Sequence, residues 1–239
     1  MYSKHKFEIY LWGISDDHEY ILKNCKYCLD TAYKFGLKPK ILGLDYDWKS
    51  KVGNCKFARE VSRLYILQDL LKEEVDDNTI FLIMDGFDTL FNGTKEQILN
   101  TFYSYNTQLL ISAERDYTFQ WLKYKESYDN LHQQSIYKYI NAGTFIGYGK
   151  TMQNLIKDCI TIFEKSKKNG LFDCGNDQGF IGEVVSKYIE NPIKCKLDIY
   201  CKLFWVTPKD HDLIYNSYSH NTNTSTNPII LHVIGGRRE

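Results

Sequence analysis

Asp85 and Asp88 stand three residues apart where an unbroken apolar run, Ile80 to Met84, comes to an end. Two carboxylates held close together repel each other unless a cation lies between them, and oxygen ligands favour a hard divalent ion such as magnesium or manganese. Gly86 would let the chain turn sharply enough to bring both oxygens to one ion. The plainer reading is a surface turn in which Asp85 caps the next helix and Asp88 is solvated, because aspartate is common in turns. The Asp-x-x-Asp spacing alone leaves both readings open.

The elements around this pair argue for a ligand crevice. An apolar run bounded by Asn78 and Gly86 suits a central strand of a parallel sheet, whose carboxyl end opens into such a crevice. Upstream, the order reads as a strand at Phe7–Ile14, a helix over 17–35 closed by Gly36, a strand at Lys40–Leu44, a loop carrying Trp48 and Gly53, and a helix near 58–74. In that helix Val61, Leu64, Tyr65, Leu67, Leu70 and Leu71 recur at helical spacing. A helix over 94–105 and a strand at Gln108–Glu114 follow. The alternation predicts an α/β fold, a parallel sheet covered by helices. Beyond residue 115 the pattern becomes an aromatic loop, a strand at Phe145–Tyr148, helices near 152–168 and 177–189, and a last strand at Pro228–Ile234. Asn221–Asn227, rich in Asn, Thr and Ser, reads as an exposed loop.

Composition narrows the function classes. The 239 residues, 43% hydrophobic and 25% charged, suit one globular domain over 1–239. Thirty basic and thirty acidic residues cancel, so no overall field draws nucleic acid or a membrane surface. Aromatic content of 15% without a basic stripe does not make a nucleic-acid binder. No apolar run spans a bilayer, and Glu8 interrupts the apolar start, so the expectation is a soluble protein without signal peptide, placed in the cytoplasm. The sequons Asn92-Gly-Thr94 and Asn223-Thr-Ser225 pull the other way on compartment. Seven cysteines without tandem ligand spacing suggest reduced thiols, and Cys25-x-x-Cys28 reads as a buried helix face rather than zinc or redox chemistry. A haloacid-dehalogenase phosphatase spaces its nucleophile and acid two apart, and Phe87 stands where the second would fall.

Four further segments fall where a nucleotide-sugar site needs them. His232 ends the run Ile229-Ile-Leu-His232; a neutral imidazole completing an ion held by two carboxylates would suit manganese, whereas a lone histidine is more simply a core residue. The flank Gly235-Gly-Arg-Arg238 favours the first reading, because glycines allow backbone approach to a diphosphate and an arginine clamps its oxygens. Tyr139-Ile-Asn-Ala-Gly-Thr-Phe-Ile-Gly147 lets backbone approach a sugar, although a plain turn and strand explains its glycines equally well. Asp173-Cys-Gly-Asn-Asp-Gln178 opens a helix, by simple capping or by aiming an acid and an amide at sugar hydroxyls and an anomeric carbon. Glu114 closes its strand at another carboxyl edge.

Met84-Asp-Gly-Phe-Asp88, Ile111-Ser-Ala-Glu114, Ile140-Asn-Ala-Gly-Thr-Phe-Ile-Gly147, Asn176-Asp-Gln178 and Ile230-Leu-His232 together resemble, in order and across nearly the whole chain, the glycosyltransferase domain of multifunctional procollagen lysyl hydroxylases. The resemblance implies a GT-A-like Rossmann fold with a mainly parallel central sheet flanked by helices, with a nucleotide-binding half at 1–115 and an acceptor and catalytic half at 116–239. It implies a manganese-dependent enzyme that moves glucose from UDP-glucose to galactosyl-hydroxylysine of collagen-like protein, with retention. Asp85, Asp88 and His232 would hold the Mn2+. Phe87 would lie against the uridine, with Trp48 and Arg63 near the donor; Asn141, Gly143, Gln178, Gly235 and Arg238 would complete the donor site. Asn176 and Asp177 match an acidic pair essential for transfer, and with Asn at 176 the catalytic carboxylate falls to Asp177, as nucleophile, base or stabiliser. The family's Trp-Pro is replaced by Thr118-Phe119, which leaves Phe119 or Trp121 to contact the acceptor. No His-x-Asp iron motif occurs, so the expectation is a stand-alone transferase acting on lysines hydroxylated elsewhere. Galactosyl transfer to hydroxylysine and a non-catalytic UDP-sugar or collagen-binding module are the alternatives, and a homodimer is left open.

Overall fold

The computed structural model describes residues 5–44, 46–47, 52, 58–73, 78–117, 124–168, 177–207 and 220–234. Trp48, Phe119, Trp121, Asn176, Gly235 and Arg238 lie outside them. The elements run β1 (Lys6–Trp12), α1 (His18–Lys34), β2 (Lys40–Leu42), α2 (Ala58–Glu73), β3 (Thr79–Asp85), β4 (Thr89–Phe91), α3 (Lys95–Ser104) and β5 (Leu109–Glu114). Then come α4 (Lys125–Leu131), β6 (Tyr139–Tyr148), α5 (Gly149–Lys168), α6 (Asp177–Tyr188), β7 (Lys196–Asp198), β8 (Phe204–Thr207) and β9 (Ile230–Val233). The central sheet has the order β2-β1-β3-β6-β5-β7. Every strand in it is parallel to the rest except β6, which runs antiparallel to both β3 and β5. A second sheet, β4-β9-β8, is small.

Local chemistry sets the boundaries. Asp17 caps α1 by accepting from the Tyr20 amide at 3.0 Å. The helix ends where Gly36, at φ 71°, turns left-handed and Leu37 donates back to the Ala32 carbonyl at 3.0 Å. Thr94 and Gln97 close a reciprocal capping box at the start of α3. Alternate residues of β1 and β3 supply the two halves of the core, as a pleated strand requires. Ile9, Leu11, Ile80, Leu82 and Met84 pack on α1 and α3; Tyr10, Trp12, Phe81 and Ile83 pack on the side of α2, α5 and α6. Both faces of β3 are therefore apolar, which is why its sequence reads as an unbroken run.

Several readings of the sequence need correction. The strand at Phe145–Tyr148 begins at Tyr139, so the small-residue segment lies inside a strand rather than leading into one. The aromatic stretch after residue 115 contains α4, and β4, β7 and β8 are additional short strands. Asn221–Asn227 is a largely exposed turn, as read, except that Asn221 itself is fully buried, pairs with Thr226 and accepts through Oδ1 from the amides of Asn223 and Thr224. Cys25 and Cys28 are buried on α1, where the Cys28 sulfur lies 3.4 Å from the Thr89 hydroxyl, and Cys159, Cys195 and Cys201 are buried elsewhere.

Asp198 ties the two sheets together. Buried at the end of β7, its carboxylate accepts from the backbone amides of Lys202, Leu203 and Phe204 at 3.0, 2.8 and 2.7 Å and from the Tyr105 hydroxyl. Leu203 in turn accepts from Ile230, so the position of β9 depends on this clamp. An orphaned buried donor costs about 1–3 kcal/mol. Asp198→Ala orphans several, and is expected to lose at least about 3 kcal/mol in urea unfolding; a loss under about 1 kcal/mol would show that the clamp is dispensable.

Candidate metal and donor site

The carboxyl edge of β3 turns directly into β4, and Asp85 and Asp88 bracket that turn. The Thr89 hydroxyl donates to the Asp85 carbonyl, and Val233 donates to the Asp88 carbonyl at 2.7 Å, which ties the turn to β9. Gly86 is required here for space rather than for an unusual dihedral angle. A Cβ on it would sit 2.7 Å from the Trp12 carbonyl and 2.7 Å from the Cys25 sulfur. In the antiparallel β4–β9 pair Thr89 faces His232, which brings the imidazole beside both aspartates. His232 Nε2 lies 3.2 Å from Asp88 Oδ1 and 3.6 Å from Asp85 Oδ2.

Asp85, Asp88 and His232 each offer one ligand atom, all within 4.8 Å of one another. His232 is nearly sealed, at 5% side-chain exposure, while Asp85 and Asp88 keep 19% and 28%. An ion would therefore be approached from the carboxylate side. The donor set, two anionic oxygens and one imidazole nitrogen, fits a divalent cation that accepts mixed ligands. Gly143 supports the fit. A Cβ there would stand 2.2 Å from His232 Cε1 and 2.8 Å from Asp85 Oδ2, so glycine keeps the cluster clear of side chain.

β6 reaches this point by leaving its regular register. Ile111 pairs with Phe145 but Ala113 pairs with Ile140, so Asn141, Ala142, Gly143 and Thr144 face Ser112 alone. The Ser112 hydroxyl holds the bulge by donating to the Asn141 carbonyl at 2.9 Å. Bulges next to functional sites re-aim side chains, and this one carries Asn141 to His232. Asn141 Oδ1 lies 3.1 Å from His232 Nδ1 and accepts from Gly143 N at 2.9 Å; its Nδ2 donates to Glu114 Oε2 at 3.2 Å. Gln178 at the start of α6 donates to Glu114 Oε1 at 2.9 Å and accepts from Ala142 N at 3.1 Å.

Arg63 of α2 reaches in from the other side. Its Nη1 lies 2.9 Å from Asp85 Oδ1 and 3.4 Å from Asp177 Oδ2, and its guanidinium covers the Trp12 ring at 5.6 Å. Burial works against the arginine's charge, but Asp85 and Asp177 outweigh it and hold the guanidinium protonated. Burial raises Asp85, Arg63 opposes the rise, and Asp88 adds to it. Burial likewise lifts Asp177 to about 6 against the pull of Arg63. For His232 burial lowers the pKa, but Asp88, then Asp85 and Glu114, carry it above the ordinary imidazole value. Phe87 is half-buried at the tip of the turn, edge-on to Tyr20 at 5.8 Å.

Of the residues singled out in the sequence, Asp85, Asp88, His232, Gly143, Asn141, Gln178, Arg63 and Asp177 thus converge on one carboxyl edge, and Phe87 flanks it. Trp12 was missed, because its place at the end of β1, level with Asp85, is set by strand pairing and not by local sequence.

A mainly parallel α/β sheet with an acidic-histidine cluster at its carboxyl edge is the plan of a GT-A-like domain. Residues 23–238 match the family model of the PLOD GT domain, the glycosyltransferase domain of the procollagen lysine hydroxylases, and the chain belongs to that family. It is 26% identical over 129 residues to procollagen-lysine,2-oxoglutarate 5-dioxygenase 1 of Gallus gallus, covering 54% of this chain and 17% of that protein. It is 26% identical over 136 residues to the multifunctional procollagen lysine hydroxylase and glycosyltransferase of Caenorhabditis elegans, covering 55% and 18%. An uncharacterized protein of Acanthamoeba polyphaga mimivirus is 27% identical over 164 residues, covering 67% and 32%. The aligned stretches span under a fifth of the animal proteins and about a third of the viral one. No described helix is long and apolar enough to cross a membrane.

The raised Asp177 sets a pH dependence whose sign is opposite to that of a salt-bridged surface acid. Its folded pKa of about 6 exceeds the unfolded carboxyl value, so the native state holds the extra proton between the two and stability falls as pH rises through that window. Asp177→Asn removes the titration. Wild type, metal-free, is expected to lose stability relative to Asp177→Asn between pH about 4 and 6 in urea unfolding; parallel curves for the two proteins would contradict the assignment.

Proposed function

We propose that this chain is a manganese-dependent glycosyltransferase that moves glucose from UDP-glucose to galactosyl-hydroxylysine in a collagen-like polypeptide, with retention of configuration. One observation carries the reading: Asp85, Asp88 and His232 converge within 4.8 Å at the carboxyl edge of β3 in a chain of the PLOD GT-domain family. The Caenorhabditis elegans relative, named as a hydroxylase and glycosyltransferase, supports it.

In this reading Asp85, Asp88 and His232 hold Mn2+, which when bound offsets the charge of the departing UDP diphosphate. The chain's own residues do the rest. Phe87, half-exposed beside Tyr20, offers a ring face to the uridine. Arg63 holds Asp85 and Asp177 on one guanidinium, which links the metal site to the carboxylate assigned to catalysis. Asp177 orients the acceptor hydroxyl and stabilises positive charge developing at the anomeric carbon. Gly143 leaves the space beside His232 and Asp85 free of side chain, and its place in the donor site rests on the sequence resemblance. Trp48, Gly235 and Arg238 complete the donor contacts, Asn176 stands beside Asp177, and Phe119 or Trp121 meets the acceptor; these roles rest on the sequence resemblance alone.

UDP release with Mn2+ tests the reading, with UDP-glucose or UDP-galactose as donor and galactosyl-hydroxylysine, hydroxylysine or neither as acceptor. The expected result is turnover of UDP-glucose that requires galactosyl-hydroxylysine and falls at least about 100-fold in Asp85→Ala. Turnover confined to UDP-galactose with hydroxylysine would move the chain to the galactosyl step. No turnover with any pair, despite UDP binding, would replace catalysis with a binding role.

A further inference from the structure

We propose that Asn141 is a positioning residue that fixes His232 with its proton on Nδ1, and that Glu114 and Gln178 lock Asn141 in the one amide orientation that does so. The inference rests on the reading of Asp85, Asp88 and His232 as a metal site. It assigns Asn141 a place behind the histidine rather than against the donor.

The amide orientation follows from its neighbours. A backbone N–H can only donate, so the Asn141 atom 2.9 Å from Gly143 N is the oxygen. The opposite end lies 3.2 Å from a Glu114 carboxylate oxygen and must be the NH2. Both contacts select the same orientation. Gln178 is fixed by the same logic: Ala142 N–H donates to its oxygen at 3.1 Å, which leaves its NH2 for the second Glu114 oxygen at 2.9 Å. Glu114, 4% exposed, is thus bound through both oxygens to two amides whose orientations the β6 backbone sets.

With the amide so held, only Oδ1 faces His232 Nδ1, at 3.1 Å. An acceptor there requires Nδ1 to carry a proton; the other tautomer would set two lone pairs against each other in a site where His232 and Asn141 are each 4% exposed. Nδ1 keeps that proton in either charge state of the ring. Nε2 alone is left to vary, and it points to Asp88 Oδ1 and Asp85 Oδ2 at 3.2 and 3.6 Å. It presents either a lone pair to a cation or a proton to Asp88. Partners that hold the far nitrogen of a ligating histidine fix its tautomer and orientation, and their loss costs about 10–100-fold in metal affinity. The same chain of contacts places Gln178 next to Asp177, so the histidine and the first turn of α6 share one support.

The test is long-range proton–nitrogen correlation NMR on protein carrying 15N-histidine, metal-free at alkaline pH, with His232 assigned through His232→Gln, followed by Mn2+ titration. Wild type is expected to show a protonated, pyrrole-type Nδ1 and a pyridine-type Nε2. Asn141→Ala is expected to lose that preference and to bind Mn2+ about 10–100-fold more weakly. The exchange Asn141→Asp with Glu114→Gln keeps an acceptor for Nδ1–H and an amide for it to pair with, and is expected to recover most of the affinity. A pyridine-type Nδ1 in wild type would overturn the proposal without recourse to any variant, as would a folded Asn141→Ala with unchanged tautomer and Mn2+ affinity. A protonated Nδ1 in a wild type that fails to bind Mn2+ would uphold the tautomer and sink the metal reading instead.

Discussion

Two carboxylates held beside an imidazole nitrogen, the three within 4.8 Å where solvent reaches chiefly the carboxylates, repel each other unless positive charge lies among them. Much of the surrounding structure answers that repulsion. Arg63 neutralises Asp85 from one side and Asp177 from the next, and does so from a position stacked on Trp12 that burial alone would not favour. The raised pKa of His232 is the same constraint expressed as proton affinity: a proton on the ring takes the place that a divalent ion would fill.

The backbone contributes in a different way, by making room. Gly86 lets the turn after β3 press against the Trp12 carbonyl and Cys25, and Gly143 lets β6 pass beside His232 and Asp85 with no side chain between. The bulge opposite Ser112 spends four residues of β6 on one of β5, and those residues carry Asn141 and Gly143. The small β4-β9-β8 sheet then delivers His232 from the far end of the chain, and Asp198 anchors the segment that β9 rests on. Precision at the site therefore depends on contacts spread over strands that are far apart in sequence.

The sequence was informative where one physical signal dominated. The apolar run of β3, the Gly36 stop of α1 and the amphipathic spacing of α2 each follow from local rules, and their bounds agree with the structure within a few residues. Asp85, Asp88 and His232 were joined as one set by the family resemblance, since neither the Asp-x-x-Asp spacing nor a lone histidine decides between a ligand and a structural role. What was not legible depends on tertiary context. β4 and β7 are three residues each, too short to show alternation, and exist because a neighbouring strand supplies their hydrogen bonds. The direction of β6 and its bulge are properties of pairing, invisible in Asn141-Ala-Gly143 alone. Asn221 sits in a polar run that reads as solvent-exposed, yet it is buried because its own side chain satisfies the turn. The sequence gives no sign of what Asn141 and Gln178 contact within the protein, and the structure engages both with Glu114 and the β6 backbone.

The central claim is that the three residues at the end of β3 and within β9 form one metal centre. Crystals soaked in Mn2+ and UDP, with diffraction collected at the manganese absorption edge, address it most directly. The account predicts one anomalous peak bonded to Asp85, Asp88 and His232 Nε2, with the UDP diphosphate on the exposed side of the two carboxylates. An anomalous peak elsewhere with Asp85 still paired to Arg63 and no ion at the triad, or UDP bound without any ion there, would contradict it.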